Sequence, residues 1–327
     1  MNFFADLYFQ KKYSELYLNK GESVFEFKYQ EASFVFKNIS IKRPIYSIGT
    51  RKLAELYFDL ETAYGFGGFC TNNSDRDFLG RAMQAYQARC KSENIIAEFL
   101  RFHPFNEFPQ NFADNLDFAR FDRSTVFIDL QNSKEDRWTR YGQTTRNILR
   151  KCAGSLEVQE SNDIERFIEL YYRTMDKNAA AGFYYFGRSY FESLLALDEV
   201  KLFAIKHEGA IVSMAFIIFG EEIAYYHLSA NHEEFYSLNA NYYMLDEVSE
   251  IVRKEGKKVF FLGGGRTPEV NDSLFKFKSK FSDCLQPFWI GGKIYNHEVF
   301  AEYMQVFNEQ FPEKVNLKMF LKYRGAV

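Results

Sequence analysis

Residues 200–229 read VKLFAIKHEGAIVSMAFIIFGEEIAYYHLS. Three β-type runs are set end to end here, Val200–His207, Ala210–Phe219 and Ile223–Ser229. The turns between them, EG and GEE, are short enough for hairpins, so the stretch is an antiparallel meander. Upstream, Leu156–Glu160 is a short extended run. Asn162 or Asp163 then serves as an N-cap for Ile164, Phe167, Ile168, Tyr171 and Met175 at helical spacing. The loop NAAAGFYYFG leads to a second helix near Arg188–Leu197. Downstream, a helix over about Asn239–Glu255 shows the stripe Tyr242, Leu245, Val248, Val252, and Gly256 stands at its C-cap. Lys258–Leu262 is a strand ending in Gly263-Gly264-Gly265, Asp272–Lys278 a short helix, and Leu285–Ile290 a last strand. The order is β–α–α–β–β–β–α–β–α–β.

The 327 residues fit two modest domains. Lys and Arg number 41 against 44 Asp and Glu, a net charge of -3, which excludes a strongly basic nucleic-acid clamp. Aromatics reach 19%, with 37 Phe and 22 Tyr, so a large core is available and disorder is excluded. No run approaches the ~18 apolar residues of a membrane helix. The four cysteines form no CxxC pair and the five histidines no HxxxH pair. A reduced, cytoplasmic, metal-free protein is expected.

The first half is less regular. Residues 23–28, 31–37, 41–47 and Glu55–Leu60 read as strands. Ser74 begins a capping box with Asp77 for a helix to about Cys90. Asn94–Phe102 and Thr125–Leu130 are further strands, and Ser133 caps a helix through about Lys151. No internal repeat is visible, so a duplicated fold follows only from element order and length.

The order of the second half resembles the GCN5-related N-acetyltransferase (GNAT) domain. There two parallel strands splay apart to admit the acyl donor; here the gap would lie between the strands ending at Ser229 and Leu262. Four stretches together are similar to the FemAB-like family of acyltransferases. They are Asp59–Gly68 (DLETAYGFGG, with Ala63 for the usual Pro), Glu98–Pro104 (EFLRFHP), Arg146–Lys151 (RNILRK), and Phe261–Gly265 with Asp272–Phe281. The resemblance implies a mixed α/β chain of two tandem GNAT-like acyl-CoA N-acyltransferase domains, the first less regular, with no coiled-coil arm. The domains would span 1–150 and 151–296, and the C-terminal helix region 297–327 would pack back on the first.

It also implies acyl or aminoacyl transfer to the amino group of an amino sugar or a cell-envelope glycan precursor, within polysaccharide biosynthesis. The donor would be acyl-CoA or aminoacyl-tRNA, and the acceptor a nucleotide-linked or lipid-linked amino sugar. A partnership with DNA is not expected; tRNA is a partner only where the donor is an aminoacyl group. Two other readings stay open: an aminoacyl-tRNA-dependent peptidoglycan cross-bridge ligase, and a non-catalytic protein that binds glycan precursors.

Acyl transfer to an amine requires a stabilised oxyanion and a proton for the leaving group. No Ser-His-Asp order is evident, so direct attack in a ternary complex is the simpler chemistry. By itself the run Lys276, Lys278, Lys280 reads as one solvated face. The resemblance makes Phe277-Lys278 the family's functional Phe-Lys, with Lys278 catalytic. Tyr226 is the second catalytic candidate, as a proton donor. Tyr64, Gly65 and Gly67 in the glycine-rich loop, Arg101 and His103 at a strand end, and Tyr185 and Arg188 in the second half are acceptor-binding candidates. Arg146, Arg150, Asn239, Asn241, Gly264 and Phe277 are donor-binding candidates. Arg146 and Arg150 belong to the acid-free segment 137–156, which also reads as a wet amphipathic linker. The turn before the helix at Asn239 (NHEEFYSLNAN, 231–241) departs from the GNAT pyrophosphate loop: it has two acids and no glycine.

Overall fold

The computed structural model describes residues 3–326. In chain order it contains α1 (Lys11–Glu15), β1 (Ser23–Glu31), β2 (Phe34–Ile48), β3 (Arg51–Glu61), β4 (Cys70–Thr71), α2 (Arg76–Ser92), β5 (Ile95–Arg101) and α3 (Phe108–Asn111). There follow β6 (Phe118–Asp129), α4 (Lys134–Arg140), α5 (Gln143–Ala153), β7 (Glu157–Ser161), α6 (Ile164–Lys177), α7 (Arg188–Leu195), β8 (Val200–His207), β9 (Ala210–Phe219) and β10 (Ile223–Asn231). The chain ends with α8 (Ala240–Lys254), β11 (Val259–Gly263), α9 (Ser273–Lys278), β12 (Leu285–Ile294) and α10 (His297–Gln310).

Two compact units result. The first comprises Tyr8–Asp122 and the chain from Phe288 on; the second comprises the described residues through Leu7 and Arg123–Pro287. This division differs from the expected boundary at 150/151. Residues 123–150 lie in the second unit because β6 pairs with β11 and α5 packs on α8.

In the second unit the strands run β6-β11-β10-β9-β8-β7. The meander read from residues 200–229 is present, and its first turn is Glu208 and Gly209, both at positive φ as a tight hairpin requires. One face of this sheet packs with α5 and α8 around Ile128, Leu149, Ile217, Leu245 and Phe260. Against the other, α6 and α7 stack aromatic rings, with Phe167 edge-on to Phe216 at 4.6 Å.

In the first unit the order is β1-β2-β3-β5-β12. Leu60, Tyr86 and Leu100 belong to the core that α2 covers. Ile96, Tyr303 and Phe307 belong to the core around α10, in the same unit as the N-terminal strands.

Three local expectations are corrected. The runs 31–37 and 41–47 are one strand, β2, because Asn38 and Ser40 are not turn residues: both donate to the buried Glu98 carboxylate, at 2.7 and 2.6 Å. Asp75, not Ser74, caps α2, accepting from the Phe78 N–H at 2.9 Å. The helix expected from Ser133 to Lys151 breaks at Tyr141-Gly142 into α4 and α5.

Candidate active site

The site lies in the second unit, where β10 and β11 run parallel and then part. Pairing covers only Ile223↔Val259, Ala224↔Phe260 and Tyr225↔Phe261. Beyond it each strand is bent. β10 shifts register against β9 between Tyr226 and Leu228, and β11 shifts against β6 between Phe261 and Gly263. A bulge increases local twist and turns a strand from its neighbour, so two bulges at one level open the sheet. Pairing of the two strands thus ends at Tyr225 and Phe261, the level at which the sequence places the gap.

Lys278 reaches this opening from the last turn of α9. Its side chain is buried, the residue only 7% exposed, and Nζ donates to the Gly264 carbonyl at 2.8 Å. Burial pushes the amine down to about 7, against the opposing pull of Asp272. The solvated-face reading of the three lysines fails on helix geometry. Residues two apart sit about 200° apart around a helix, so Lys276 is exposed while Lys278 turns inward; Lys280, beyond the end of α9, is exposed as well. Asp272 fixes α9: its Oδ1 accepts from the Leu274 and Phe275 N–H groups at 2.9 and 3.0 Å. Gly263 holds φ +79°, and a Cβ there would lie 3.4 Å from Lys278 Nζ.

Phe277 packs edge-on against Tyr242 of α8 at 5.0 Å, and Lys280 Nζ donates to the Tyr242 hydroxyl at 2.7 Å. Tyr226 faces the same core as α5 and α8, and burial pushes its phenol up to about 12, so it holds its proton at neutral pH. Its neighbour Tyr225 turns the other way, its hydroxyl donating to the buried Asp6. Sequence reading missed His227, which meets the Tyr190 hydroxyl at 3.1 Å and is held neutral by burial, its pKa pushed down to about 3. The adjacent Tyr-Tyr-His run was its only signal.

Residues 139–276 match the family model described as the Acetyltransferase (GNAT) domain. The fold is similar to that of FemX, with TM-score 0.72, 15% identity, and coverage of 89% of this chain and 92% of that one. Residues 139–276 thus carry a GNAT domain, and the chain as a whole has the fold of FemX. It is also similar to the C-terminal domain of a putative lysylphosphatidylglycerol synthetase from Agrobacterium fabrum, at TM-score 0.52 and 13% identity, covering 88% of each chain. A protein of unknown function from Bacteroides thetaiotaomicron gives TM-score 0.52 and 13% identity, covering 89% of this chain and 91% of that one. No curated protein matches the chain.

The remaining candidates are distributed as follows. Gly264 and Phe277 adjoin Lys278. Arg146 binds the end of α4, donating to the Tyr141 carbonyl at 2.5 Å and to Gln143 at 2.8 Å. Arg150 is exposed and donates to Asn147 at 3.1 Å. Asn239 takes a left-handed conformation before α8, and its side chain donates to the Ser237 carbonyl at 2.9 Å. Asn241 accepts from the Tyr242 N–H at 3.1 Å. Tyr185 and Arg188 are exposed; Tyr185 donates to Asp176 at 2.8 Å and Arg188 pairs with Glu165.

Tyr64, Gly65, Gly67, Arg101 and His103 belong to the first unit. There the glycines meet the protein's own side chains. A Cβ on Gly65 would strike the Tyr8 ring at 2.6 Å, and one on Gly67 the Thr62 methyl at 2.7 Å. The Tyr64 carbonyl accepts from the Tyr13 hydroxyl at 2.7 Å. Arg101 is half-buried and donates to Glu61 and to the Thr62 carbonyl, and His103 is buried, its pKa pushed down to about 3. Among the described residues no cluster of His, Cys, Asp or Glu could hold a metal ion, and no helix is long and apolar enough to cross a membrane.

Proposed function

We propose that the protein transfers an acyl or aminoacyl group to the amino group of an amino sugar or cell-envelope glycan precursor, by direct attack in a ternary complex. The observation that supports this is Lys278, a buried lysine beside the opening of the parallel pair, with an amine near neutrality. In this reaction a C–N bond forms, the C–O or C–S bond to the donor breaks, and the amine proton passes to the leaving atom. A protonated Lys278 stabilises the oxyanion of the tetrahedral intermediate and relays the proton: it gives its own to the leaving group and takes the one that the attacking amine loses. Tyr226 is the second group that keeps a proton to give.

The turn before α8 favours an aminoacyl-tRNA over acyl-CoA as donor. A GNAT domain presents backbone N–H groups to the CoA pyrophosphate at this place. Here the residues from Glu233 to Leu238 form a 3-10 turn with Glu233 and Glu234 exposed, and two carboxylates repel a pyrophosphate. The test compares wild type with Lys278→Met, each checked for folding, in acceptor assays with charged tRNA and with acyl-CoA. Loss of about 10²–10³ in kcat with an intact fold is expected, as for removal of one oxyanion donor. Unchanged turnover overturns the reading. Turnover with acyl-CoA and none with charged tRNA overturns the donor choice alone.

A further inference from the structure

We propose that the first unit carries a separate binding site for a phosphate ester with an apolar body, in a cleft between its sheet and the C-terminal segment 317–324. The cleft encloses about 570 Å³, within the size range of small-molecule sites. All its lining residues belong to the first unit. Glu61 and Arg101, the last residues of the parallel strands β3 and β5, are on its wall, so it sits at the carboxyl end of a parallel pair, where open sheets bind ligands.

The charges are ordered. Asp59 accepts from Arg43 Nε and from Arg324 Nε, each at 2.8 Å. Glu61 accepts from Arg101 Nη2 at 2.5 Å and also from Arg43. Burial opposes the Glu61 charge, and Arg101 and Arg43 outweigh it, holding the carboxyl below its usual range. Three guanidinium groups thus face two carboxylates. Arg120, Lys318 and Lys322 add three more cations with no carboxylate at ion-pair distance among the described residues, an excess of four. A single carboxylate ligand would leave most of that excess unmatched. A phosphate or diphosphate ester offsets more of it, and planar guanidinium groups suit its oxygens.

The rest of the wall is apolar. Phe99, Phe118 and Ile290 come from the sheet, and Leu317, Met319 and Phe320 from the C-terminal segment, with Phe118 and Phe320 in contact at 4.8 Å. Such a surface takes a base or an alkyl chain. The Arg101 side chain, expected from the sequence to meet an acceptor, is part of this wall. The site does not rest on the acyl-transfer reading, because binding alone tests it.

The experiment is calorimetric titration of the full chain with UDP, with dodecyl phosphate below its micelle concentration, and with inorganic phosphate. It is repeated on the double variant Arg120→Ala, Lys318→Ala, which leaves the Arg43–Asp59–Glu61 network intact. One body-bearing phosphate is expected to bind at least about ten-fold tighter than inorganic phosphate. The double variant is expected to weaken it about ten-fold at unchanged melting temperature, the scale of one or two charge-assisted contacts. Tighter binding of UDP identifies a nucleotide source, and tighter binding of dodecyl phosphate a lipid one. If neither exceeds inorganic phosphate, or the double variant binds as wild type does, the proposal fails.

Discussion

Among the described residues each unit contains one parallel strand pair, β3/β5 in the first and β10/β11 in the second, and they end differently. The second pair stops at Tyr225↔Phe261, bulges on both strands, and leaves an opening that Lys278 enters. The first pair also shifts register, between Phe58 and Asp59, but its pairing resumes as far as Glu61↔Phe99 and is then stitched further. The Gly67 N–H donates to the Arg101 carbonyl at 2.8 Å, and the His103 N–H donates to the Gly67 carbonyl at 3.0 Å. Backbone groups that a splayed sheet would offer to a donor are consumed there by the glycine-rich segment. One fold thus yields an open edge where bulges interrupt pairing and a closed edge where a loop completes it.

The sharpest way to break this contrast is to remove the charge from the open edge. In the folded protein burial holds the Lys278 pKa at about 7, below the ordinary lysine value of 10.5, so the unfolded chain binds more protons between those values. Stability of the wild type therefore rises with pH from about 7 to 10.5, and the burial penalty is fully present below 7. Lys278→Met should be more stable than wild type near pH 6, on the order of 3 kcal/mol after the lost Gly264 contact is allowed for. The advantage should shrink as pH rises towards 10.5. Parallel melting curves across that range check it; a constant difference would mean that the amine is not desolvated.

The closed edge is tested at glycine. Gly68 and Gly263 have nearly the same positive φ, +78° and +79°. A Cβ on Gly68 would lie 2.7 Å from the ring of the fully buried Phe102, whereas at Gly263 the nearest atom is the lysine tip at 3.4 Å. Gly68→Ala should cost about 2–3 kcal/mol and Gly263→Ala about 1 kcal/mol, by denaturant unfolding. The activity loss should run the other way, because only Gly263 adjoins Lys278.

The open edge was legible because its signals are local. The hairpin turns, the stripe of α8, the Gly263–Gly265 run and Asp272 ahead of α9 all lie within a few residues of what they specify. The closed edge was not. The loop 64–68 looked like a ligand loop, and the side chains that fill it, Tyr8, Thr62 and Phe102, include residues more than thirty positions away in sequence. Asn38 was likewise read as a break in a strand because its partners, Tyr86 and Glu98, lie 48 and 60 residues on. Periodicity records which face is apolar; it does not record which distant group satisfies a buried polar atom.

The smallest expected effect isolates the one carboxylate that opposes burial at Lys278. Asp272→Asn keeps an oxygen for the Leu274 and Phe275 N–H groups, so the cap should lose only a few tenths of a kcal/mol. The charge is gone, however, and the attraction that raises the Lys278 pKa goes with it. In the Asp272→Asn background, the pH at which Lys278→Met begins to lose its stability advantage should move below 7. An unmoved onset would assign the poise of Lys278 to burial alone, and the acidic cap of α9 would then serve the helix and not the amine.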